Sequence, residues 1–180
     1  RDEAGMNERA DIFIDPLMSD ESKMLSSITR KRFYNLNVIL NEWAGEYEAS
    51  LGFAKKYANE VERAVINNRT TLHEFIISQY SLLTSSGRAH NMEVYETAYI
   101  KLENFEQQFP AATERDRLEA SYMLGLSVFS KAADNYHPER GEKMLLDADE
   151  NIKKYERVLS TQQKIVWYFV IARFCFFKSS

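Results

Sequence analysis

An all-α fold follows from three features of the 180-residue sequence. Only six glycines and three prolines punctuate it, too few for the frequent tight turns of an all-β chain. Apolar residues recur at helical spacing, as in Leu25, Ile28, Phe33, Leu36, Leu40 and Trp43. The segments they define come in successive pairs, each bounded by cap or breaker residues. With 44% hydrophobic and 28% charged residues, the chain has the material of one continuous globular array.

Each element has its own punctuation. Pro16 breaks a short leading segment, and Ser19-Asp20-Glu21-Ser22 offers N-caps for a long helix that ends near Gly45. A second helix runs from Tyr47 to about Ile66, and Asn67-Asn68 marks a loop. Thr70 or Thr71 caps a helix to Thr84, Ser85 to Gly87 predicts a break, and a helix from Met92 to Phe109 is closed by Pro110. Thr113 caps a helix carrying Leu118, Tyr122, Leu126, Phe129 and Ala133, which stops near Tyr136-His137-Pro138. Gly141 opens the next, to about Leu159, and Ser160-Thr161 introduces the last. The expected organisation is one array over residues 1–180, with pairs at about 20–66, 71–109 and 113–159 and a half pair at 161–180.

The last stretch is the most unusual. From Ile165 to Phe177 only Arg173 is charged, yet the run falls short of the roughly 20 apolar residues a bilayer-spanning helix needs. Its apolar residues occupy nearly the whole helix circumference, the pattern of a helix packed on both sides. The expectation is the first helix of a fourth pair, in a chain excised from a larger protein. Self-association through Trp167, Phe169 and Phe174, as a homodimer, would cover it.

The stretch Arg32 to Val61 resembles a tetratricopeptide repeat. It carries Phe33, the pair Leu36-Asn37, Leu40, and Gly45-Glu46-Tyr47 at the turn between two helices; Asn37 departs from the Gly or Ala usual there. The Leu-small pair returns as Leu124-Gly125, followed by Val128, and the same register gives Ile77-Ser78 and then Trp167, Val170-Ile171 and Phe174. Steps of about 41 to 47 residues exceed the 34 of that family, which makes the array degenerate and tetratricopeptide-like. The resemblance implies a right-handed solenoid of antiparallel helix pairs, an α-α superhelix. Stacking also completes cores that single pairs leave open. A plain antiparallel bundle satisfies similar patterns.

In such arrays the first helices line a concave groove, and the resemblance places Tyr34, Phe75, Tyr122 and Tyr168 there as an aromatic ladder, with Asn35 and Asn41 beside it. Rings offer apolar area and carboxamides pair with a partner's backbone. The alternative is that the rings pack against the protein's own helices. Tyr34 stands where the chaperone-binding members of the family carry a Lys, which argues against capture of a chaperone tail.

Chemistry-bearing motifs are lacking. A net charge of −4 gives no global attraction to nucleic acid or anionic membrane, and Arg30-Lys31-Arg32 reads as a solvated helix face. No zinc-ligand spacing, phosphate loop or nucleophile elbow occurs. His73, within Leu72 to Phe75, resembles the His-acid pair of histidine-kinase phosphoacceptor helices without the rest of that pattern, and reads as a histidine satisfied by a neighbour. Asp147-Ala148-Asp149-Glu150 reads as solvated carboxylates, and Asn68-Arg69-Thr70 fits a glycosylation acceptor only in a secretory compartment. A lone Cys175 argues against a cystine-stabilised secreted scaffold, and the expected location is cytoplasmic.

The function expected is therefore non-catalytic: a module binding a protein or peptide in its concave face, with no cofactor, no metal, no nucleic acid and no membrane. The other reading is a peptide- or ligand-sensing region of a bacterial regulator whose effector domain lies outside these residues.

Overall fold

The computed structural model describes residues 26–67 and 70–178, and among them nine helices and no strand. The break expected at Pro16, the caps at Ser19 to Ser22, Asn68 of the expected loop and Asn68-Arg69 of the glycosylation pattern lie outside the described residues. The helices are α1 (Ser27–Ala44), α2 (Tyr47–Ile66), α3 (Leu72–Arg88), α4 (Met92–Glu103), α5 (Phe105–Gln108), α6 (Glu114–Ala133), α7 (Pro138–Leu146), α8 (Ala148–Tyr155) and α9 (Thr161–Lys178).

Local chemistry sets most boundaries. Ser26 caps α1 by accepting the Thr29 N–H at 3.1 Å. Gly45, left-handed at φ 79°, ends it, with its N–H on Glu42 O and that of Glu46 on Asn41 O, a Schellman closure. Thr71 and Asn91 cap α3 and α4. Thr113 and Asp116 cap α6 reciprocally, each side chain taking the other's N–H. Pro138 sits in the first turn of α7, where its missing N–H costs nothing.

Two expected boundaries are different. Ser85 to Gly87 does not break α3, which runs on to Arg88. The reason is burial: Ser85 and Ser86 are fully buried, Ser85 bonds Ser50 of α2 at 2.9 Å, and Ser86 returns its hydroxyl to Leu82 O. Small residues here let helices approach. Conversely, the helix expected from Gly141 to Leu159 is broken at Asp147, which ends α7 and precedes α8, as befits a residue that competes poorly for a helix interior. The helix expected from Met92 to Phe109 is likewise interrupted, at Asn104.

Consecutive helices pack as neighbours, α1 on α2, α2 on α3, α3 on α4 and α6 on α7. Contacts also join α3 to α6 and α6 to α9, and α6 touches α4, α5, α7 and α8 as well. One apolar core runs through α1 to α6. A second, of Tyr122, Leu126, Phe129, Ala132, Tyr155, Trp167 and Phe174, joins α6 to α8 and α9. Helix α6 therefore faces both cores, and everything about the candidate site depends on where it sits.

Candidate functional site

Between α4–α5 on one side and α7–α8 on the other, α6 floors an open cleft of about 650 Å³. Its apolar bottom is Leu102, Phe105, Ala120, Leu124 and Met144, and its rim carries Glu103, Glu106, Arg117 and Lys143. Both walls are interrupted helices, at Asn104 between α4 and α5 and at Asp147 between α7 and α8.

At the closed end the walls are riveted. Arg140 of α7 lies over the Tyr99 ring of α4, 4.0 Å from its centroid, and donates to both Glu96 oxygens at 3.0 and 2.8 Å. The Tyr136 hydroxyl also donates to Glu96 at 2.8 Å. Burial pushes the Glu96 carboxyl upward, but the hydrogen bonds from Arg140 and Tyr136 outweigh it and hold the group below the usual carboxylate range. Glu96 in turn holds Arg140 more firmly protonated.

Arg117 supplies the one unfinished polar group of the cleft lining. Its Nη2 donates to Pro110 O at 3.1 Å, whereas its buried Nε has no hydrogen-bond partner among the described residues, Glu106 being 4.0 Å away. The Arg117 side chain as a whole is 41% exposed, and its guanidinium faces the Glu106 carboxylate across the rim.

The aromatic ladder expected from the sequence is mostly interior. Tyr34, Phe75 and Tyr122 are 4, 3 and 2% exposed. Phe75 packs edge-on against Phe109, and Tyr122 against Tyr155, with its hydroxyl on Gln163 O at 3.1 Å. They hold helices together and offer no free face, so the rings do not form an open ladder. Tyr168 alone is half exposed. Asn35 is half-buried, and Asn41 donates back to Asn37 O at 2.7 Å, which occupies one of its donors. Of the residues expected to self-associate, Trp167 and Phe174 are buried against α6, and Phe169 is exposed.

The basic cluster also divides. Arg32 is exposed, but Lys31 is 5% exposed and its Nζ reaches Glu74 at 2.6 Å and Thr70 at 3.1 Å. His73 bonds Glu119 at 2.7 Å on the surface, a satisfied side chain. No group of three His, Cys, Asp or Glu among the described residues is placed to hold a metal, and no described helix is long and apolar enough to cross a membrane. The cleft residues were not singled out from the sequence; the signal available was Asn104 and Asp147, poor helix formers inside otherwise periodic runs.

Compared with known proteins, the chain matches no family model, no curated protein and no solved structure.

Proposed function

We propose that the chain is a non-catalytic interaction module that seats an amphipathic helical segment of a partner protein in the cleft floored by α6. The observation that carries this reading is the cleft itself, apolar at the bottom and charged at the rim. A helix laid in a groove buries its apolar face and leaves charges at the edge. The rim is of mixed sign, Glu103 and Glu106 opposite Lys143, so it favours a partner helix whose flanks are also mixed. The resemblance of the sequence to tetratricopeptide repeats supports a binding role on a surface built from helix pairs. Because Tyr34, Phe75 and Tyr122 are interior, the cleft is favoured over the first-helix face as that surface.

Peptides selected from a random helical library for binding to the purified chain test this. Arg117→Glu with Lys143→Glu is expected to weaken a selected peptide tenfold or more without lowering the melting temperature. No binder, or binders indifferent to both substitutions, would contradict the reading.

A further inference from the structure

A second pocket, of about 290 Å³, lies between α3, α6 and α9 and shares no lining residue with the cleft. Each helix brings one cation to it: Arg88 from α3, Lys131 from α6 and Arg173 from α9. Leu83 and Leu126, both buried, form its apolar side.

The charges do not balance. Among the described lining residues Asp134 is the one carboxylate, and Lys131 and Arg173 share it, at 3.3 and 2.9 Å. Arg88 has a carboxylate of its own, Glu42 at 2.6 Å. One positive charge is therefore in excess, and Lys131 stands in the less hydrated place, its side chain 15% exposed. That place is closely fitted: the Lys131 stem lies across Gly87, where a Cβ would stand 2.6 Å from its Cε, and its Nζ donates to Gly87 O at 3.0 Å. An ammonium held largely out of water with half a counter-ion is incompletely neutralised.

Donors are in excess as well. In hydrogen bonds among the described residues Arg173 uses only Nη2 and Arg88 only Nη1, although a guanidinium carries five N–H groups. The hydroxyls of Tyr80 and Ser130, both lining residues, make no hydrogen bond among the described residues. Burial pushes the Tyr80 hydroxyl above its usual pKa, against a smaller pull downward from Arg88, so it stays a neutral donor.

We infer that this pocket binds the phosphate group of a small phosphomonoester, its oxygens taken by Arg88, Lys131 and Arg173 and by the hydroxyls of Tyr80 and Ser130, with its organic part against Leu83 and Leu126. Donors from three helices suit a tetrahedral group with acceptor oxygens all round better than a planar carboxylate with two. Guanidinium forks match phosphate geometry in particular. Asp134 acts as an internal competitor for Lys131 and Arg173, and its 44% exposed side chain turns to water when the phosphate arrives.

Titration of the full chain with phenyl phosphate, at an ionic strength held with chloride and followed by amide and arginine Nε–H NMR shifts, tests the inference. Saturable shifts are expected at Arg88, Lys131, Asp134 and Arg173. Lys131→Gln and Arg173→Gln are each expected to weaken binding about tenfold or more, Asp134→Asn to tighten it several-fold, and Arg32→Gln to change nothing. Because Lys131 is also packed in place, Tyr80→Phe, which removes one hydroxyl, is the second test, with binding about threefold weaker at an unchanged melting temperature. Inorganic phosphate binding as tightly as the ester would support the site and assign free phosphate to it. No saturable shift at these residues, affinity untouched by both Arg173→Gln and Tyr80→Phe, or benzoate binding as tightly as phenyl phosphate would overturn the inference.

Discussion

The indole of Trp167 lies directly against the α-carbon of Gly125: a Cβ built on that glycine would stand 2.4 Å from two ring carbons. The contact seats α9 on α6 and joins Trp167 to Tyr122, Phe129 and Tyr155 in one aromatic cluster. Gly125 is thus used for the absence of a side chain, within a helix where glycine is otherwise costly.

Gly125→Ala is therefore expected to destabilise the chain, overpacking costing about 1–3 kcal/mol against a helix-propensity gain of about 1 kcal/mol. Gly52 on α2 is the matched control. It is exposed, with nothing within 4 Å of the Cβ it would gain, so Gly52→Ala is expected to stabilise by about 0.5–1 kcal/mol. Urea unfolding of the two variants checks the opposite signs.

The ion pair between Lys31 and Glu74 is asymmetric. Lys31 has 6% of its side chain exposed and Glu74 29%. Glu74→Gln leaves a buried ammonium without its counter-charge and is expected to cost about 3 kcal/mol. Lys31→Met removes the buried charge and leaves a carboxylate that water can reach, at a cost of about 1 kcal/mol or less. Denaturant unfolding of both variants reads the difference; equal costs would mean that Lys31 is not the buried partner.

Glu96 gives the chain an acid dependence of definite sign. Its folded pKa lies below the ordinary 4.5, so the unfolded chain binds its proton more readily. Its contribution is complete above about pH 4.5, near the unfolded value, and is lost as pH falls through the folded pKa. Glu96→Gln is expected to lower stability by about 1–2 kcal/mol at neutral pH, with the gap closing progressively below about pH 4.5. A gap that stays constant into acid would show that the carboxylate's charge contributes nothing.

The all-helical class was legible in the sequence because apolar spacing and cap residues are local signals, and Gly45 and Thr113 end and start helices as expected from them. What misled was partnership. Ser85 to Gly87 has loop composition, yet its small size serves a helix crossing that depends on Ser50, 35 residues away. Lys31 looks solvated until Glu74 is brought beside it. Tyr34, Phe75 and Tyr122 share a position in the register expected from the sequence, but whether a ring faces solvent or core depends on how far each helix is rotated about its axis, which spacing alone does not fix. The cleft was hidden for the same reason, since its lining comes from α4 to α8, brought together only in the fold.

The central claim is the position of the partner. Backbone NMR shift mapping of the isotope-labelled chain with a selected helical peptide tests it most directly. The largest shifts are expected at Leu102, Phe105, Arg117, Lys143 and Met144, with Asn35, Asn41 and Tyr168 undisturbed. Shifts concentrated at Asn35, Asn41 and Tyr168 with the cleft silent would contradict the account and return the binding surface to the first-helix face.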